Sequence, residues 1–129
     1  MPLRTVTGSI ESDAEPGDLL SLLADASRIP EWAPAFADRV EQDDQNGWKV
    51  AKDGSVFSLH VGVERAVRTV DYLREVAPGK KGGAYLRVLP RPGGGSVVVM
   101  TLPVGAGQTA EGVTAVLNQE LASLVRLAS

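Results

Sequence analysis

A chain of 129 residues with 16 acidic and 13 basic side chains, net charge −3, is long enough for one domain (1–129) with a core of its own. Cysteine is absent and there is a single histidine, which excludes disulfides, thiol chemistry and any Cys- or His-rich metal site. No basic stretch makes a nucleic-acid footprint, no apolar run reaches the ~18 residues of a membrane span, and Met1-Pro2-Leu3-Arg4 has no signal-peptide core. A cytoplasmic protein with no nucleic-acid partner and no membrane insertion is therefore expected.

Thr5 to Ser12 alternates Val6, Gly8 and Ile10 with polar neighbours, the period of a half-buried strand. Asp13-Ala14-Glu15-Pro16 opens a helix, with proline in the first turn where its missing N–H does no harm. Leu19, Leu20, Leu22 and Leu23 give that helix its buried side, and it ends near Asp25. Ser27 caps a second short helix, with Pro30 in its first turn and Trp32 and Phe36 four apart on one face.

Strands follow from Arg39. Arg39–Asp43 and Trp48–Lys52 flank Asn46-Gly47, and Asp53-Gly54 leads into Val56–Val63; both dipeptides are two-residue hairpin signals. Glu64-Arg65 is the expected turn into Val67–Val76, and Pro78–Gly83 is expected as a loop. Ala84–Leu89 and Ser96–Leu102 are joined by a Pro/Gly-rich turn. Short turns make the neighbouring strands antiparallel.

The final stretch, Thr109 to Ala128, places Val113, Val116, Leu117, Leu121, Leu124 and Ala128 at spacings of three and four. Thr109 suits the N-cap, and Glu111 and Arg126 suit the helix dipole at the two ends. Gly112 costs roughly 1 kcal/mol against alanine in a helix interior. A lone helix cannot bury such a stripe, so a concave sheet must receive it. The fold class is α+β: a curved antiparallel sheet of about seven strands around a long C-terminal helix, with two short helices after the first strand.

This order, together with Ala24-Asp25 followed by Ile29-Pro30-Glu31-Trp32-Ala33-Pro34-Ala35-Phe36, resembles the helix-grip fold of the START/Bet v 1-like (SRPBCC, polyketide cyclase/dehydrase-like) superfamily. Val70-Asp71-Tyr72, Leu86-Arg87-Val88-Leu89-Pro90 and Val99-Met100-Thr101-Leu102 are similar to later strands of its small bacterial members. The resemblance implies a cavity between sheet and terminal helix, used in that superfamily for lipids, sterols, hormones or polyketide intermediates. Members often carry Asp-His where this chain has Asp71-Tyr72, so a general-base role for that histidine does not transfer.

Most of the aromatics fall on elements that would border such a cavity, and apolar walls with few polar groups suit a small-molecule pocket. The expected lining is Trp32, Phe36, Phe57, Leu59, Tyr72, Arg87, Val113, Leu117 and Leu121. Trp32 and Phe36 serve either as a gate or as a plug between the short helices and the sheet. His60 shares its strand face with Ser58 and Gly62, opposite Phe57, Leu59, Val61 and Val63, and is expected to face solvent. Asp71 and Tyr72 point to opposite faces; a two-residue loop pairs Phe57 with Tyr72 and Leu59 with Val70 and puts Tyr72 inside. Arg87 either pairs with Asp71 or meets a ligand carboxylate.

Gly105-Ala106-Gly107-Gln108-Thr109-Ala110 fits G-x-G-x-x-A, but a dinucleotide site needs a further strand with an acidic residue, and the chain ends with this helix. No nucleophile–histidine–acid set is apparent. The expected function is binding of a small hydrophobic or amphipathic molecule, with no cofactor and no metal. The alternatives are a cyclase or dehydratase moving protons through Tyr72, Asp71, Arg87 or His60, and a filled interaction module forming a homodimer.

Overall fold

The computed structural model describes residues 4–43 and 47–129. The expected Asn46-Gly47 hairpin lies partly outside them. The elements are β1 (Thr5–Ser12), α1 (Pro16–Ala24), a 3-10 turn (Ala26–Arg28), α2 (Ile29–Trp32), β2 (Arg39–Gln42), β3 (Trp48–Lys52), β4 (Ser55–Glu64), β5 (Thr69–Ala77), β6 (Lys80–Pro90), β7 (Ser96–Pro103) and α3 (Ala110–Ala128). All strand pairs are antiparallel, in the order β1-β7-β6-β5-β4-β3-β2, and the curved sheet receives α3 on its inner face. This is the helix-grip arrangement. Among the described residues no helix is long and apolar enough to cross a membrane.

Alternation decides the two faces. Leu86 and Val88 are buried while Tyr85 and Arg87 are exposed, and Val98 and Met100 face inward beside Val6 of β1. α3 lays Val113, Leu117, Leu121 and Leu124 on this surface. Its approach to β1 is set by Gly8, where a Cβ would stand 2.6 Å from Leu117 Cδ2. Thr109 Oγ1 accepts from the Gly112 backbone N–H at 3.0 Å, so the expected cap is in place.

Several local expectations are corrected. The cap before the short helices is Asp25, whose Oδ1 accepts from the Ser27 N–H at 3.2 Å. α2 stops at Trp32 because Ala33, preceding Pro34, leaves helical geometry, so Phe36 is not one turn on in the same helix. The β4–β5 loop spans 65–68, longer than the Glu64-Arg65 turn expected from sequence. Its end is fixed by Arg68, which takes φ 56° and donates from Nε to the Val88 carbonyl at 3.1 Å.

The longer loop shifts the register. Tyr72 pairs with Val61 rather than Phe57, and Val70 with Val63 rather than Leu59. The displacement is even, so Tyr72 still points inward. Finally, Gly82 and Gly83 belong to β6 and not to a loop. The turn is Pro78-Gly79 alone, with Gly79 at φ 74°.

Candidate functional site

The inner face is filled at one end and hollow at the other. Leu59, Tyr72, Leu86, Met100, Leu117, Leu121 and Leu124 form a continuous buried core against α1 and its leucines. Toward the start of α3 the inner face carries small side chains: Gly82 and Ala84 on β6, then Gly105 and Gly112 around the helix entrance. Their missing bulk leaves a solvent-connected cleft of about 650 Å³ between sheet and helix. Ala35, Phe36, Leu102, Val113 and Val116 make it mainly apolar, and Thr109, Gln108, Arg74 and Glu120 supply its polar groups. A volume of this order suits a drug-sized molecule.

A second cleft of about 320 Å³ is lined by Trp32, Pro34, Gln119, Ser123 and Arg126 among others. Ala35, Val116 and Glu120 line both, so the two clefts are neighbours across these side chains.

The rim of the larger cleft is aromatic. Phe36 meets Phe57 edge to face at 5.5 Å between centroids, and the Arg74 guanidinium carbon lies 4.1 Å from the Phe57 ring centroid. Such stacking holds the arginine by cation–π attraction while its charge stays wet. Arg74 reaches this face because β5 alternates Val70, Tyr72 and Arg74 inward.

Tyr72 lies in the filled core below the helices. It is 3% exposed, its ring is 5.8 Å from that of Trp32, and its hydroxyl donates to the Leu23 carbonyl. That carbonyl belongs to the last turn of α1, where no intrahelical donor remains. Burial pushes the Tyr72 pKa up, so the phenol stays protonated. Trp32 is also 3% exposed, and its indole N–H has no hydrogen-bond partner among the described residues.

Glu120 and Arg74 are charged groups of the cleft that the sequence reading missed. Glu120 is 7% exposed on α3, and burial raises its pKa to about 7. The signal was present: residue 120 falls on the apolar stripe, three or four residues from Val116, Leu117 and Leu124 and two turns from Val113. An acid on that stripe must be buried.

Of the residues expected to line a cavity, Phe36 and Val113 line the larger cleft and Trp32 the smaller. Phe57 packs on Phe36 at the rim. Leu59, Tyr72, Leu117 and Leu121 lie in the filled core and line neither cleft. Arg87 is a correction: it is exposed on the outer face, between the inward Leu86 and Val88. His60 is exposed as well, and Asp71 points outward between the buried Val70 and Tyr72. The suggested Asp71–Arg87 ion pair does not form, because Asp71 stands opposite Tyr85 and Arg87 opposite Thr69. The four residues considered for proton transfer are therefore not gathered in one pocket. Among the described residues no three His, Cys, Asp or Glu side chains converge as a metal site would require.

A sheet gripping a terminal helix over a half-hollow interior defines the helix-grip class. Over residues 4–129 the sequence matches the model of the family described as polyketide cyclase / dehydrase and lipid transport, and the chain belongs to that family. The fold is similar to that of the protein XoxI from Bacillus cereus, at TM-score 0.74 and 16% identity over 98% of this chain and 96% of that one. It is similar also to the Zhui aromatase/cyclase from Streptomyces sp. R1128, at TM-score 0.71 and 17% identity over 97% and 93%. A START superfamily protein from Mycobacterium smegmatis aligns at TM-score 0.68 and 14% identity over 98% and 97%. No curated protein sequence matches the chain significantly.

Proposed function

We propose that this protein binds a small hydrophobic or amphipathic molecule in the cleft between the sheet and the first half of α3. The observation that carries this reading is the mainly apolar cleft of about 650 Å³, held open where the sequence places Gly82, Ala84, Gly105 and Gly112. Membership of a family whose description includes lipid transport supports a ligand of this kind. An apolar wall of that extent faces solvent, and a ligand with an apolar body would withdraw it from water.

The test is a thermal-shift screen of lipids, aromatic polyketides and hydroxylated hydrophobes on the natural protein and on Ala84→Trp, which fills the cleft from β6. At ligand concentrations well above Kd the natural protein gains about 2–4 kcal/mol of apparent stability, and its midpoint rises. The filled variant folds and shows no response. Failure of every compound to move the natural midpoint, or an equal response from the filled variant, would refute the reading.

A further inference from the structure

We infer that Glu120 selects the ligand by charge, and that the ligand is a protonated amine on an apolar body, its ammonium group seated on the Glu120 carboxylate. This rests on the cleft being a binding site. Glu120 lines both clefts and is 7% exposed, so a molecule that occupies either cleft beside Ala35 and Val116 lies against the Glu120 side chain. The protein gives that carboxyl nothing to pair with: among the described residues Glu120 has neither a hydrogen bond nor an ion pair.

Two cations face the same space. Arg74 of β5 lines the larger cleft but is stacked on Phe57 at the rim, and Arg126 of α3 lines the smaller cleft and donates to Ser123 Oγ at 3.1 Å. Neither comes within ion-pair distance of Glu120. α2, β6 and β7 contribute no titratable side chain to either lining.

An unpaired carboxylate largely withdrawn from water carries a cost, and that cost is removed best by a partner that brings both a positive charge and N–H donors. A neutral hydroxyl offers a donor but leaves the charge uncompensated. The apolar walls beside Glu120, from Phe36, Leu102, Val113 and Val116, accept the rest of such a molecule. The net charge of −3 draws cations toward the protein. With the carboxyl half ionised near pH 7, ammonium binding would hold it ionised and expel a proton.

The experiment is calorimetric titration with octylamine and with 1-octanol at pH 6 and pH 8. Octylamine stays protonated at both values, whereas Glu120 passes from mostly neutral to mostly ionised. Octylamine should therefore bind about tenfold more tightly at pH 8, while octanol binding should not rise with pH. Glu120→Gln should lose the pH dependence and about tenfold in octylamine affinity at pH 8, with octanol unchanged. Glu120→Asp, which keeps the charge, should retain a dependence of the same sign.

Equal affinities for amine and alcohol at pH 8, or an octylamine isotherm unaltered by Glu120→Gln, would overturn the inference. Binding of octanol or other hydrophobes without octylamine would overturn it too, while leaving the cleft as a site. If no compound of any class binds, the cleft reading itself falls.

Discussion

At the scale of single residues, burial and partnership separate Glu120 from every other acid that titrates abnormally. Arg28 holds the Glu31 carboxyl below its ordinary range, and the Asp53 N–H and Lys52 do the same for Asp38, all at the surface. Glu120 moves the other way, from 4.5 to about 7, through desolvation. A raised folded-state pKa means that the native state holds the proton more tightly than the unfolded chain. The stabilisation is full below pH 4.5 and is lost as the pH rises through about 7. The gap corresponds to roughly 3 kcal/mol. Urea denaturation at pH 5 and pH 8 should therefore show the natural protein losing stability relative to Glu120→Gln over that interval. Glu31 and Asp38 are common to both proteins and cancel in the difference. Parallel pH profiles for the two would contradict the buried, unpaired state of Glu120.

At the scale of elements, α3 comes close to β1 at Gly8. An added methyl at Gly8 would meet Leu117 Cδ2 at 2.6 Å, so Gly8→Ala should cost about 1–3 kcal/mol in chemical denaturation. Leu117→Ala removes the obstructing methyl, and the double variant should lose less than the two single losses added together. Strict additivity would mean that the glycine matters for some other reason. Periodicity made both of these elements legible: β1 runs over Thr5–Ser12 as read from alternation, and α3 is capped at Thr109 as expected. It did not reveal β6 fully. Two consecutive glycines read as a loop, yet both pair with β5 within β6, and position 83 admits only glycine because a Cβ there would lie 1.7 Å from the Tyr72 carbonyl oxygen. The register of β5 was legible only in its parity, since a tertiary contact from Arg68 to β6 sets the loop length. Trp32 and Phe36 were recognisable as aromatics near the helix, but the break at Ala33-Pro34 that sends them to different clefts depends on local backbone geometry. Arg87 was misplaced because the facing of β6 follows from its pairing with β5 across the Pro78-Gly79 turn, which read as a longer loop in the sequence.

At the scale of the whole molecule, α3 divides its labour along its length. Leu117, Leu121 and Leu124 press on a filled core that reaches α1, and Val113, Val116 and Glu120 border the solvent-connected cleft. Packing of the first kind is costly to disturb, because deleting a buried leucine side chain leaves a cavity that the surroundings only partly close. Side chains at the cleft face solvent on one side, so trimming them removes fewer contacts. Leu121→Ala should therefore lower stability by about 2–5 kcal/mol and leave the affinity of the remaining folded protein for a cleft ligand within a factor of about two. Val116→Ala, by contrast, should cost about 1 kcal/mol or less while shifting ligand affinity or selectivity severalfold, since this side chain borders both clefts. Denaturation curves and ligand titrations on the same two variants check the division. If the two substitutions moved stability and affinity together, the hollow and the filled halves would be one mechanical unit, and the cleft would be a packing defect instead of a site.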